Sequence, residues 1–165
     1  MLTTIQHYPL EKRKILKKTI GAILAWLLLY IIIFVPAHIF LWKDYSKSLI
    51  VIDIIFILIL IIEPIYQYMY YKKYFYDVRT DFLAIKKGVI MPREAILNYE
   101  KIQDVYMDQD LLDRIFSLWD VHVSTATLMS GREAHIDGVN HDNAIAIREL
   151  ILSKIKKVRK NKQNE

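Results

Sequence analysis

The sequence predicts a membrane protein, a two-helix transmembrane hairpin followed by a small α+β domain. Three observations predict it. Two long apolar runs, residues 19–42 and 49–71, hold almost no charge. Only Lys43, Asp44, Tyr45, Ser46 and Lys47 separate them. Beyond Tyr71 the apolar spacing shifts from helical to period two and back again.

The runs are read as spans on length. Crossing the hydrocarbon core takes ~20 mostly apolar residues at a rise of about 1.5 Å each, and both runs reach that. A connection of five residues cannot cross back, so the helices are expected to be antiparallel neighbours with both chain ends on one side. Lys12, Arg13, Lys14, Lys17 and Lys18 precede the first run, and Lys72, Lys73, Arg79, Lys86 and Lys87 follow the second. The connection holds two lysines, so the positive-inside rule puts both termini in the cytoplasm of a two-pass plasma-membrane protein. The first run is too long for a signal-peptide core and no A-x-A site follows it, which reads as a retained anchor.

Four segments follow: a basic N-terminal stretch 1–18, the hairpin 19–71, a cytoplasmic domain 72–160 and a tail 161–165. Residues 1–8 show no period and read as frayed. Pro9 suits the first position of a helix leading into the hairpin. Gly21 and Ala25 put two small residues on one helix face, where a neighbouring helix can approach closely. Pro36 is expected to kink the first span. Trp42 and Tyr45 at one end, and Tyr66, Tyr68, Tyr70 and Tyr71 at the other, read as interfacial aromatic belts.

Polar residues inside the spans are the first candidates for function. His38 and Asp53 both fall ~6 Å below the outer end of the hairpin, at a level where they can pair across it. Glu63 lies deeper and precedes Pro64. An ionised carboxylate there costs several kcal/mol unless it is paired, protonated or reaches water, so it should face protein. His38, Asp53 and Glu63 form the candidate intramembrane site. Shallow side chains reaching water, and a Glu-Pro step marking a kink, are the structural alternatives.

Past Tyr71, residues 74–80 and 82–86 read as strands. Gly88 turns the chain into a strand at 89–91, Pro92 interrupts, and 95–97 resumes. Residues 102–107 alternate again. Residues 109–118 take helical spacing, with Leu111, Leu112, Ile115 and Phe116 on one side and Asp113 and Arg114 on the other. Residues 121–126 and 133–137 form a hairpin around Ser130-Gly131. Asn140 or Asp142 caps a last helix whose apolar face is Ala144, Ile147, Ile151, Ile155 and Val158.

Four blocks then carry a resemblance: residues 76–90 (YDVRTDFLAIKKGVI), 99–105 (YEKIQDV), 111–118 (LLDRIFSL) and 121–126 (VHVSTA). Standing in this order behind a two-helix anchor, they resemble the membrane-flanked bacterial pleckstrin-homology-like domain of the YdbS group over residues 74–152. The resemblance implies a strongly bent antiparallel sheet closed by the last helix. It also implies a binding or scaffolding role rather than a reaction. Ser117 departs from it, standing where the group usually has Gly, which implies a less tight turn.

The residues exclude much chemistry on their own. The chain has four glycines, one read as a helix contact and three as turns, so no loop cradles a phosphate. It has no cysteine, hence no disulfide, thiolate metal site or thiol nucleophile. His122, His135 and His141 lack motif spacing, and Ser124 lacks a base and an oxyanion partner, so neither a metal centre nor a hydrolase is assigned. Neither an enzyme nor a cofactor is expected. Basic residues cluster beside the spans and in the tail, so the net charge of +5 points to the lipid bilayer rather than to nucleic acid. Lys154, Lys156, Lys157, Arg159 and Lys160 are the candidate lipid-surface contacts. A Thr80-Asp81 turn argues against a phosphoinositide pocket at the first strand turn. Two functions remain, both resting on the resemblance and the architecture. One is protection against membrane-active bacteriocin-type peptides; the other is a structural subunit of a membrane complex that binds a cytoplasmic protein.

Overall fold

The computed structural model describes residues 3–125 and 134–163. The chain forms two compact units, one made of Ile15–Met69 and the other of Met1–Lys14 with Tyr70–Glu165.

The first unit is helical. Arg13–Lys43 (α2) and Tyr45–Lys73 (α3) are each long and apolar enough to cross a membrane, and both extend beyond the apolar runs themselves. The expected five-residue loop is shorter than the sequence suggests. Only Tyr45 leaves helical geometry, at φ −128° and ψ 23°, and its neighbours stay in the flanking helices. Pro36 and Pro64 lie inside these helices. Leucine and isoleucine side chains such as Leu28, Ile32, Ile57 and Ile61 are exposed along both.

The second unit opens with a correction. A short helix, Thr4–His7 (α1), packs on the domain and is not frayed. The Thr4 amide and hydroxyl donate to Asp77 at 2.9 and 3.0 Å, and Thr4 Oγ1 accepts from Val78 N at 2.9 Å. Further on, the Tyr76 hydroxyl donates to the Tyr8 carbonyl, Tyr71 donates to Leu10 O at 2.9 Å, and Glu11 N donates to Gly138 O at 2.9 Å. Pro9 lies between helices rather than inside one, because α2 begins only at Arg13. Residues 3–14 therefore form a strap along the domain.

Among the described residues six strands make two antiparallel sheets: Phe75–Val78 (β1), Phe82–Lys87 (β2) and Arg93–Asn98 (β3), then Ile102–Asp108 (β4), Trp119–Thr125 (β5) and His135–Val139 (β6). A 3-10 turn, Tyr99–Lys101, joins them. Two short strands expected around Pro92 are one strand that starts after it. Residues 89–91 bend instead, because Gly88 turns at φ +107° and a side chain there would meet Met91 O at 2.5 Å. The turn at Ser130-Gly131, with Ala126 and Glu133 beside it, falls outside the described residues.

The helix Leu111–Phe116 (α4) is rotated from the orientation expected: Leu112 and Phe116 are half-buried and Arg114 is exposed, but Leu111, Ile115 and Asp113 depart from it. Leu111 and Ile115 are 76% and 65% exposed, whereas Asp113 is buried. Its cap sets this orientation: Asp113 N donates to Asp110 Oδ1 at 2.7 Å, and Asp110 N donates back to Asp113 Oδ2 at 3.2 Å. Capping outweighs the burial of two side chains that six residues cannot also turn inward. The helix ends at Ser117 in the left-handed conformation, φ 53° and ψ 47°, and Leu118 N closes onto Asp113 O at 2.9 Å. Serine thus completes the tight cap that glycine usually provides.

The last helix, His141–Gln163 (α5), is capped by Asn140, whose Oδ1 accepts from Asn143 N at 2.8 Å. Ala144, Ile147, Ile151 and Ile155 are buried on the expected face. They meet Tyr76, Leu83, Ile85, Tyr99, Ile102, Val121, Val123 and Ile136 in a core drawn from both sheets. Each such isoleucine contributes roughly 1.5–3 kcal/mol through burial.

Candidate functional site

Within the helical unit, polar groups of both long helices meet at Asp53. His38 Nε2 lies 3.0 Å from Asp53 Oδ2, and Tyr30 donates its hydroxyl to Asp53 Oδ1 at 2.7 Å. Both carboxylate oxygens are therefore engaged. His38 Nδ1 lies 2.7 Å from the carbonyl of Phe34. An acceptor at each ring nitrogen calls for a proton on each, one of them shared with Asp53, so histidine and carboxylate together carry no net charge. A neutral pair is the cheapest way to keep ionisable groups among apolar side chains.

Aromatic rings frame this pair. Tyr30 packs on Phe34 and Phe56 with ring centroids 5.4 and 4.4 Å away, and His38 stacks on Trp42 at 5.8 Å. Sequence reasoning placed His38 and Asp53 at one level but missed Tyr30. The available signal was a stripe on one helix: Tyr30, Phe34, His38 and Trp42 recur every four residues. Glu63 does not join them. It sits ten residues beyond Asp53, ~15 Å along the helix, and accepts from Gln67 Nε2 at 2.7 Å.

The second unit has its own polar centre, also missed. Lys14 is 1% exposed; its ammonium donates to Asp137 O at 2.7 Å, lies 3.6 Å from Asp137 Oδ2 and sits 3.7 Å from the Tyr74 ring centroid. In the sequence it reads as one more flanking cation. Burial, with Asp137 adding to it, keeps the Tyr74 hydroxyl protonated well above the ordinary tyrosine range. Tyr74 donates to His135 O at 2.8 Å.

The three domain histidines do not converge. His122 and His135 stack at 5.2 Å, with Tyr106 on the other face of His122 at 5.0 Å, whereas His141 packs on Trp119. Asp108, Asp120 and His122 bring ligand-type atoms within 4.8 Å of one another. Ordinary pairing accounts for them: His122 Nε2 lies 3.0 Å from Asp108, and Asp120 accepts from Gly138 N at 2.8 Å.

The basic residues of α5 are spread out. Lys154 borders a depression with Thr3, Thr4, Asp77 and Arg79. Arg159 donates to Ile102 O at 3.4 Å, and Lys162 pairs with Glu100 at 3.6 Å. Lys156, Lys157 and Lys160 are exposed, and the helix continues past Lys160 to Gln163.

Two sheets, a closing helix and a long helical pair ahead of them make up nearly the whole chain, and the family model described as "Bacterial PH domain" matches residues 12–155. The chain belongs to this family. No curated protein and no solved structure matches it. In this bacterial PH domain protein the match takes in both long helices together with the sheets.

Proposed function

We propose that this bacterial PH domain protein is a membrane-anchored binding module of the YdbS-like group whose purpose is protection against membrane-active bacteriocin-type peptides. In this reading α2 and α3 cross the plasma membrane, both termini are cytoplasmic, and the sheets form a cytoplasmic domain. The observation that carries it is the Tyr30–Asp53–His38 cluster within two long, mostly apolar helices. Ionisable groups at such depth are costly and are kept where they do something. A cationic peptide entering the bilayer offers a charge that competes with His38 for Asp53, and low dielectric leaves that attraction poorly screened. The short external turn is too small to be a binding surface of ordinary size.

A second reading, a structural subunit of a membrane complex, is favoured by Leu111 and Ile115. They form an exposed apolar pair one turn apart on the cytoplasmic domain.

One host strain tests both readings. Expression of the chain should raise survival under challenge with a panel of cationic membrane-active peptides, and Asp53→Asn with Glu63→Gln, at matched expression, should reduce it. No protection by the wild type, together with a specific adduct from a photo-crosslinker placed at Ile115, would transfer the assignment to the complex. Anchoring is checked separately: an impermeant thiol reagent applied outside should label Ser46→Cys but not Lys162→Cys.

A further inference from the structure

The β2–β3 loop ends in two large apolar side chains with nothing over them. Ile90 and Met91 are 81% and 77% exposed. Gly88 at φ +107° turns the chain so tightly here that Met91 O fills the place of a side chain at that position. An exposed apolar tip on a tight turn is a candidate contact surface.

What surrounds the tip identifies the occupant. Beside it lies an open depression of about 500 Å³, bordered by Lys73, Phe75, Lys86, Val89, Pro92 and Glu94. Lys73 donates to Val89 O at 3.3 Å, and Lys86 and Arg93 are exposed at the loop's two roots. An apolar point with cations around its base fits an anionic lipid surface: the tip enters the interface while ammonium and guanidinium groups take headgroup phosphates. Chain connectivity supplies the proximity. Lys73 stands two residues after Tyr71, where the second apolar helix ends its aromatic belt, so the loop it holds is within ~7 Å of chain from that point. The basic end of α5 lacks this position. Arg159 and Lys162 reach Ile102 and Glu100, which follow the opposite end of β3 from the loop.

We infer that the β2–β3 loop is a lipid-docking element, with Ile90 and Met91 inserted in the cytoplasmic leaflet and Lys73, Lys86 and Arg93 on anionic headgroups. It rests on the reading that α2 and α3 span the membrane, and it moves the lipid contact from Lys154–Lys160 to this loop. Docking there would hold the domain against the membrane at a second point besides the chain connection.

The chain has no cysteine, so single labels are unambiguous. The full chain, carrying an environment-sensitive fluorophore at Met91→Cys, is reconstituted into phosphatidylcholine vesicles with and without phosphatidylglycerol. A second sample carries it at Ile57→Cys as the span control, and a third at Ile90→Cys in case Met91→Cys folds poorly. Lipid-borne nitroxide should quench both loop labels while aqueous iodide does not, more strongly with phosphatidylglycerol, and Lys73→Gln with Lys86→Gln should reduce the quenching severalfold. Loop labels open to iodide while Ile57 is quenched from the lipid would overturn the docking and leave the spans in place. Iodide access at Ile57 as well would overturn the spanning reading, and the docking with it.

Discussion

Lys14 and Asp137, 123 positions apart in sequence, meet in the interior of the domain, each at most 2% exposed at its side chain. The contact joins the first turn of α2 to β6, and the Tyr74 ring just after α3 lies against the same ammonium. The chain's entry to and exit from the long helices thus meet on one buried charge.

The first prediction follows from this pair. Removing one member of a buried ion pair leaves the other uncompensated, so Lys14→Ala should cost roughly 3–5 kcal/mol and speed amide exchange in β6. Gly138→Ala should also destabilise, for two separable reasons. Its φ of +80° disfavours a side chain by roughly 1–2 kcal/mol, and the added methyl would lie 2.7 Å from Lys14 Cδ. The crowding vanishes once Lys14 is shortened. Gly138→Ala should therefore cost about 1–3 kcal/mol less in the Lys14→Ala background than in the wild type. Additive costs in denaturant unfolding would show that the two residues do not crowd each other.

A second prediction concerns acid. Burial pushes the Asp77 carboxyl upward, but hydrogen bonds from the Thr4 amide and hydroxyl and from Arg79 outweigh it, so its folded pKa lies below the ordinary value. The unfolded chain then binds more protons, and the stabilisation is complete above about pH 4 and lost as pH falls through the lower folded value. Asp77→Asn should flatten the acid limb of the stability profile below about pH 4. Thr4→Val should shrink that limb and cost about 1–3 kcal/mol at neutral pH, by leaving Val78 N without its acceptor and removing one of the donors to Asp77. An unchanged acid limb in both variants would remove Asp77 as its source.

The third concerns Ser117, the one non-glycine among the described residues with positive φ. A left-handed conformation costs an L-residue roughly 1–2 kcal/mol that glycine does not incur, offset in part by the greater freedom of unfolded glycine. Ser117→Gly should stabilise by about 0.5–1 kcal/mol, seen as a higher denaturation midpoint with unchanged slope. Loss of stability would mean that the serine hydroxyl contributes more than its backbone costs.

Period and charge made much of this fold legible. Ala144, Ile147, Ile151 and Ile155 face the core as their spacing required, and β2 covers the residues 82–86 read as a strand. Local rules failed where another constraint outweighed them. The face of α4 was set by an aspartate cap instead of by Leu111 and Ile115, and the bend at Gly88 ended a strand that the apolar residues Val89, Ile90 and Met91 suggested. Long-range pairing was least legible. Nothing near Lys14 in sequence announces Asp137, and nothing around Thr4 announces Asp77. At the hairpin, equal depth was enough to bring His38 and Asp53 to one level. Tyr30 lies two turns further along, and only the aromatic stripe connects it to them.

The last prediction rests on the proposal that α2 and α3 span the membrane, and weighs their polar groups against one another. Asp53 accepts from Tyr30 and pairs with His38 across the hairpin, whereas Glu63 contacts a residue of its own helix, one turn away. Interhelical hydrogen bonds in a bilayer average ~0.6 kcal/mol, and exchanges within a helix face are worth ~0.2–0.5 kcal/mol. Asp53→Val breaks two contacts and leaves His38 facing Phe34 alone, so it should weaken the reconstituted hairpin by about 1–2 kcal/mol. Tyr30→Phe should cost about half as much, and Glu63→Gln almost nothing. The ordering can be read by the force or steric-trap concentration needed to separate α2 from α3 in bicelles. If Glu63→Gln proves the more damaging change, the carboxylate that matters to the hairpin is the deep one, and the His38–Asp53 pair is incidental to its stability.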